Sequence, residues 1–314
     1  MKIQNKKTSS YLGNVVYLKD EFHANKLATD LAKDCGNLFF EKHPNIKKTD
    51  IDFLIYCTEA PDYISPAGSC IVQEKLGLPK NIGTFDLSFG CSGYTQSIAL
   101  AKSLVESQMG NNVLVITSDF PTRVLHPEDK DLVELFKDAA SCSLVSSSKN
   151  TIESAEIGRF VFGTDGSGEL NLRVARSAFN NPIDENWLKE HAEIGSMPHG
   201  RMEMNGLEIF RFSMQEVPVL VQQILEKNQL FYEDIDLFVF HQASEIILKS
   251  LKRKLKIPDE KFYTNFAKHK NTVSATIPIC IHEAIESETV KKGMNVLVVG
   301  FGVGYSWSGT ILKF

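Results

Sequence analysis

The chain has 314 residues, 43% of them hydrophobic and 23% charged, with a net charge of -5. That length supports a large core in two structural halves, and so mild a charge argues against a general nucleic-acid binder. Met1–Lys7 leads into no apolar signal core, and no apolar run approaches the ~18–20 residues that span a bilayer, so a soluble cytoplasmic protein with no membrane partner is expected.

Taken in chain order, Ile51–Cys57 is the first clear apolar run, followed by Leu76-Gly77-Leu78-Pro79. A predicted strand then leads through Phe85-Asp86-Leu87-Ser88-Phe89 into Gly90-Cys91-Ser92-Gly93. Over residues 92–106, Tyr94, Ile98, Ala101 and Val105 share one helical stripe. Asn112–Ile116 is a short β-branched run, as expected of a strand covered on both faces. The polar stretch Ser146–Asn150 reads as a join between halves. Gly163-Thr164-Asp165-Gly166-Ser167-Gly168 lacks a Gly-Lys-Ser/Thr ending and a following helix, so it reads as a surface loop and not a phosphate cradle. The second half carries the runs Ile235–Phe240 before His241, Leu255-Lys256-Ile257-Pro258, and Asn295–Val299.

The halves echo one another. Ile51–Cys57 resembles Ile235–His241, Leu76–Pro79 resembles Leu255–Pro258, and Asn112–Ile116 resembles Asn295–Val299. Three matches in the same order and at nearly constant spacing indicate a duplicated α/β unit. Alternation of strand, turn and helix predicts mostly parallel sheets with helices packed on them, divided into halves 1–150 and 151–314.

Six cysteines are scattered without Cys-x-x-Cys pairing, so neither a zinc site nor a disulfide framework is expected. Five read as small buried hydrophobes. Cys91 differs because it enters a helix, where free backbone N–H groups and the dipole favour thiolate and predict a lowered pKa. Thiolate is the nucleophile of acyl transfer. His241 ends a buried strand, where ligands of open α/β sheets gather. Asn271 taken alone reads as a helix cap, but it follows Pro258 much as Cys91 follows Pro79. A pseudo-twofold arrangement would bring the two helix starts face to face. The glycine-rich turn Gly300–Trp307 could aim the Val303 N–H, with that of Cys91, at a thioester oxyanion.

The Cys91 turn, His241-Gln242-Ala243, Asn271-Thr272, the Gly302–Gly304 turn with Trp307, and Met204-Asn205-Gly206-Leu207-Glu208-Ile209-Phe210 together resemble the ketoacyl-ACP synthase III family. The resemblance runs from about residue 50 to Phe314. It implies a thiolase-like fold of five layers (αβαβα) and a ping-pong decarboxylative Claisen condensation in fatty acid or specialised acyl biosynthesis. In that scheme Cys91 carries the acyl group, and His241 and Asn271 hold the malonyl thioester carbonyl. It implies no tightly bound cofactor and no metal. Substrates would arrive as thioesters of the acyl carrier protein's phosphopantetheine arm or of coenzyme A. Met204 and Phe210 would line the acyl tunnel, and Ser65 would stand where the family inserts a bulky aromatic into the partner's acyl pocket. A homodimer is implied. The helix after His241 places Lys249, Lys252, Arg253 and Lys256 opposite Ile247, Leu248, Leu251 and Leu255, a basic stripe suited to an acidic carrier protein.

The chain departs from the family in places. The N-terminal Gly-x-Tyr-Leu-Pro and Arg-Thr-Gly-Ile segments find only Tyr11-Leu12-Gly13. The family's Gly-Asn-Thr is Lys270-Asn271-Thr272 here, and its Gly-Asp-Gly-Ala-Gly-Ala is Lys137–Cys142. These changes point to a specialised paralogue. Two other readings remain at this stage: acyl transfer from Cys91 to an amine or alcohol without decarboxylation, and a silent partner subunit.

Overall fold

The apolar runs of the sequence become strands covered on both sides. In a computed structural model, residues 9–19, 26–148, 154–180, 184–190 and 200–314 are described. The strands are β1 (Tyr11–Lys19), β2 (Phe53–Cys57), β3 (Gly83–Leu87), β4 (Asn112–Asp119), β5 (Ala139–Ser146), β6 (Ala155–Ile157), β7 (Val161–Thr164), β8 (Leu172–Val174), β9 (Met202–Met204), β10 (Leu237–Phe240), β11 (Phe262–Tyr263), β12 (Asn295–Gly302) and β13 (Ser306–Lys313). The helices are α1 (Ala28–Lys42), α2 (Gly68–Leu76), α3 (Gly93–Glu106), α4 (Lys130–Leu135), α5 (Glu185–Glu190), α6 (Gly206–Asn228), α7 (Glu245–Leu255), α8 (Phe266–His269) and α9 (Thr276–Glu286).

The sheet repeats its own wiring, and it is mixed where mostly parallel pairing was expected, because each half closes its parallel strands with antiparallel ones. β2 runs parallel to β3 and β4, β4 is antiparallel to β5, and β5 to β1. In the second half β10 runs parallel to β11 and β12, β12 is antiparallel to β13, and β13 to β6 and β7. Two of the three sequence matches therefore fall on equivalent strands, β2 with β10 and β4 with β12, and the third falls on the ends of the helices Gly68–Leu76 and Glu245–Leu255. The two arrays join where Tyr11 and Leu12 of β1 pair with Glu156 and Ala155 of β6. The N-terminal segment, where family motifs are faintest, is thus an interior strand between β5 and β6.

Alternation along each strand sets the layers. Val113 and Val115 of β4 face a central core with Tyr94, Ile98 and Val105 of α3, while Leu114 and Ile116 face an outer core with α1 and α2. Val296 and Val298 of β12 face the same central core, to which α9 contributes Ile277 and Ile281. Leu297 and Val299 face a third core under α6 and α7. Helix, sheet, helix, sheet, helix is the expected order of layers, with α3 and α9 in the middle. The turns that lead into them, at Cys91 and Asn271, meet at the site.

The stretch Gly163–Gly168 is the end of β7 and an exposed turn, in which Asp165 accepts from the Ser167 N–H at 2.9 Å. Ser146 ends β5, and Lys149 and Asn150 of the expected join lie outside the described residues. Among the described residues no helix is long and apolar enough to cross a membrane.

Candidate active site

Cys91 lies between β3 and α3, in a turn closed by the Gly93 N–H donating to Gly90 O at 2.7 Å. The turn is narrow. A Cβ on Gly93 would stand 2.4 Å from Cys57 Sγ, and one on Gly302 would stand 2.5 Å from Cys91 Cβ. Only glycine permits such approach, and that is why two glycine-rich turns meet here.

The expected low thiol pKa does not hold. Burial first, then the charges of Glu59 and Asp119, push the Cys91 thiol well above its usual range. The helix start is present, but burial and then these carboxyls act in the opposite direction, and no local pattern places them beside Cys91. The Glu59 carboxyl lies against Gly90. Crowding by protein and then the Asp119 charge raise Glu59, although part of its side chain faces solvent. Asp119 is fully buried and is raised by desolvation, against hydrogen bonds that hold its ionised form.

His241 continues the ladder past β10, donating its N–H to Val299 O at 2.8 Å. Its ring meets Phe301 edge-on, with centroids 5.5 Å apart. Burial pulls its pKa down to about 3, so the imidazole is neutral at any working pH. Its Nδ1 lies 2.7 Å from Thr276 Oγ1.

Asn271 is held from four sides. Its N–H donates to Leu135 O and its carbonyl accepts from Lys137 N–H, both at 2.9 Å. Its side-chain Oδ1 accepts from Val273 N–H at 2.9 Å, and Nδ2 donates to Ala243 O at 3.2 Å. With the oxygen occupied, the amide keeps one N–H of its two for the cavity. Asp119 braces this loop from the first half. It accepts from the N–H and hydroxyl of Ser274, from Glu59 N–H at 2.9 Å, and from Thr58 Oγ1 at 3.3 Å.

The three side chains line one cavity of about 380 Å³. Gly302 and Val303 close it near Cys91, and Met204 and Phe210 are among its lining residues. Ile246 and Ile247 at the start of α7 also line it, together with Leu172; sequence reasoning did not select these three. Ser65 does not line this cavity but sits on an exposed loop beside Tyr63 and Ile64. The α7 cations lie on its outer face: Lys249 pairs with Glu245 at 2.6 Å and Lys252 with Asp259 at 2.5 Å, while Arg253 and Lys256 are exposed. Ile247, Leu248 and Leu251 are buried on the opposite face. Among the described residues no cluster of His, Cys, Asp or Glu is arranged to hold a metal.

Family models place this arrangement. Residues 85–166 match 3-oxoacyl-[acyl-carrier-protein] synthase III, and residues 225–314 match the C-terminal part of the same family. The chain is 33% identical to the beta-ketoacyl-[acyl-carrier-protein] synthase III of Fusobacterium nucleatum over 286 residues, which is 91% of this chain and 84% of that protein. It belongs to the beta-ketoacyl-acyl-carrier-protein synthase III family. The synthase III of Clostridium perfringens is also 33% identical, over 95% of this chain and 86% of that protein. A crystal structure of a 3-oxoacyl-(acyl-carrier-protein) synthase III superposes with TM-score 0.86 and 38% identity, covering 94% of this chain and 88% of the other. The priming beta-ketosynthase of the R1128 polyketide pathway superposes at 0.79 with 26% identity, over 94% and 84%. The fold is the thiolase-like one, and this synthase III homologue is a condensing enzyme. The likeness reaches well into the N-terminal region, beyond the motifs that first suggested it.

Proposed function

We propose that this enzyme joins a Cys91-bound acyl group to a malonyl unit carried on an acyl carrier protein, releasing carbon dioxide and a 3-oxoacyl thioester. The observation that carries the reading is the convergence of Cys91, His241 and Asn271 on one largely apolar cavity. Cys91 Sγ attacks the acyl thioester, and the thiol proton ends on the departing thiol. His241 and Asn271 then donate to the malonyl thioester carbonyl while its carboxylate leaves. The enolate attacks the acyl-cysteine carbonyl, and Cys91 Sγ departs and regains a proton. Two fixed donors in a dry cavity are worth most when charge develops on oxygen; losing one costs about 3 kcal/mol. The N–H groups of Cys91 and Val303 are the proposed oxyanion donors for the acyl step.

Each half supplies one side of this site: 1–150 the nucleophile, 151–314 the two donors. Lys249, Lys252, Arg253 and Lys256 receive the carrier protein, and coenzyme A thioesters remain the other acyl source. No tightly bound cofactor is required. A cytoplasmic homodimer is proposed, with Ser65 beside the partner's acyl pocket.

Intact-protein mass spectrometry tests the reading. After incubation with acyl thioesters, wild type should gain one acyl mass and Cys91→Ala none, and malonyl-carrier should then discharge the adduct with release of carbon dioxide. An adduct that persists in Cys91→Ala removes the nucleophile. Discharge to an amine without carbon dioxide replaces condensation by simple acyl transfer.

A further inference from the structure

Thr276 has one hydroxyl proton and two acceptors within reach. Its Oγ1 lies 2.7 Å from His241 Nδ1 and 3.1 Å from Val273 O. The choice decides what His241 presents to the cavity it lines. If the hydroxyl donates to Nδ1, the neutral ring carries its proton on Nε2 and offers a donor. If it donates to the carbonyl, Nδ1–H donates to the hydroxyl and Nε2 becomes an acceptor.

Two observations choose between them. A separation of 2.7 Å is at the centre of the range for a hydroxyl donor and at the short edge of the range for a ring N–H donor. Val273 O already accepts the Thr276 backbone N–H, so it is satisfied without the hydroxyl. We infer that Thr276 is a positioning residue whose hydroxyl holds His241 as the Nε2–H tautomer, making it a carbonyl donor and not a base. The inference rests on the role proposed above for His241. Thr276 opens α9, 35 residues along the chain from His241, and is not among the residues that line the cavity.

The test uses the full-length chain with nitrogen-15 imidazole labelling and the two half-reactions measured apart. Wild type and Thr276→Ser should show His241 with its proton on Nε2, and Thr276→Val should lose that signature. In Thr276→Val the loss of carbon dioxide from malonyl-pantetheine should fall about 10–100-fold. Acylation of Cys91 by straight-chain acyl-pantetheines should change much less, and Thr276→Ser should restore both. A wild-type His241 protonated on Nδ1 overturns the inference whatever the kinetics. So does a Thr276→Val protein that keeps the Nε2–H signature, or one in which both half-reactions fall equally. If Cys91 never acylates, the functional reading fails, and the tautomer measurement still decides the role of Thr276.

Discussion

The proposed nucleophile of this site sits among acids. Cys91 is raised by burial and by two carboxyls, Glu59 and Asp119, which are themselves raised by their surroundings. At rest the thiol is therefore protonated, and iodoacetamide should alkylate it with a midpoint above the ~8.5 of a free cysteine. Glu59→Gln removes the charge with the larger effect on the thiol and should move that midpoint to lower pH; an unmoved midpoint would mean Glu59 exerts no field on the thiol. Lys270 poses a different residue-scale question. Its backbone adopts φ 60, ψ -159, a region where glycine alone is at ease, beside the proposed donor Asn271. Such strain costs about 1–3 kcal/mol. In return its ammonium sits 5.6 Å from the Phe266 ring and 3.7 Å from an exposed Glu134 carboxylate, contacts worth about 1 kcal/mol in sum. Lys270→Gly should leave the protein level or up to about 1 kcal/mol more stable by urea unfolding, with an unchanged slope. A clear loss of stability would show that the side chain outweighs the strain.

At the scale of elements, the loop that carries Asn271 is pinned to α9 by Glu283. Desolvation alone would raise this carboxyl, but hydrogen bonds from Lys268, Asn265 and His269 hold it down at about 2. The sign follows. A carboxyl depressed from 4.5 to about 2 contributes stability that is complete above pH 4.5 and is lost as pH falls through 2. Glu283→Gln should reduce stability near neutral pH and flatten the acid limb between 4.5 and 2, as read by circular dichroism. A parallel displacement of the whole limb would assign the loss to packing. Much of this architecture was legible in the sequence. Val113–Ile116 and Val296–Val299 read as two-faced strands because a strand between layers has no polar side. Cys91 and His241 stood out because chemistry collects where such strands end, and Asn271 because the repeat places it opposite Cys91. Asp119, Glu59 and Thr276 did not stand out. Each is a common residue in an ordinary setting until folding brings Ser274 onto Asp119 from 155 positions away. The direction of the Cys91 shift was misread for the same reason, since a helix start is local, whereas the burial and then the charges that oppose it come from the fold.

On the scale of the whole molecule, the site opens where α7 begins, and the outer face of α7 is the basic one. Ile246 at its first turn lines the cavity and is 71% exposed, so the mouth is greasy and bounded by charge. Arg253 stands seven residues further on, about 10 Å along the helix axis. The cations are unequal. Lys249 and Lys252 are already matched by Glu245 and Asp259, so a visiting acidic protein must compete for them. Arg253 and Lys256 are exposed with no ion pair among the described residues, and they should contribute more of the attraction. Exposed charges act mainly on encounter and are screened over about 8–10 Å of salt solution. Arg253→Glu with Lys256→Glu should therefore raise KM for malonyl-carrier several-fold and weaken its dependence on ionic strength. It should leave kcat and the KM for malonyl-pantetheine close to wild type. Lys249→Glu should do less, because Glu245 already offsets that charge. Equal effects on carrier-bound and free thioesters would move the docking surface off α7.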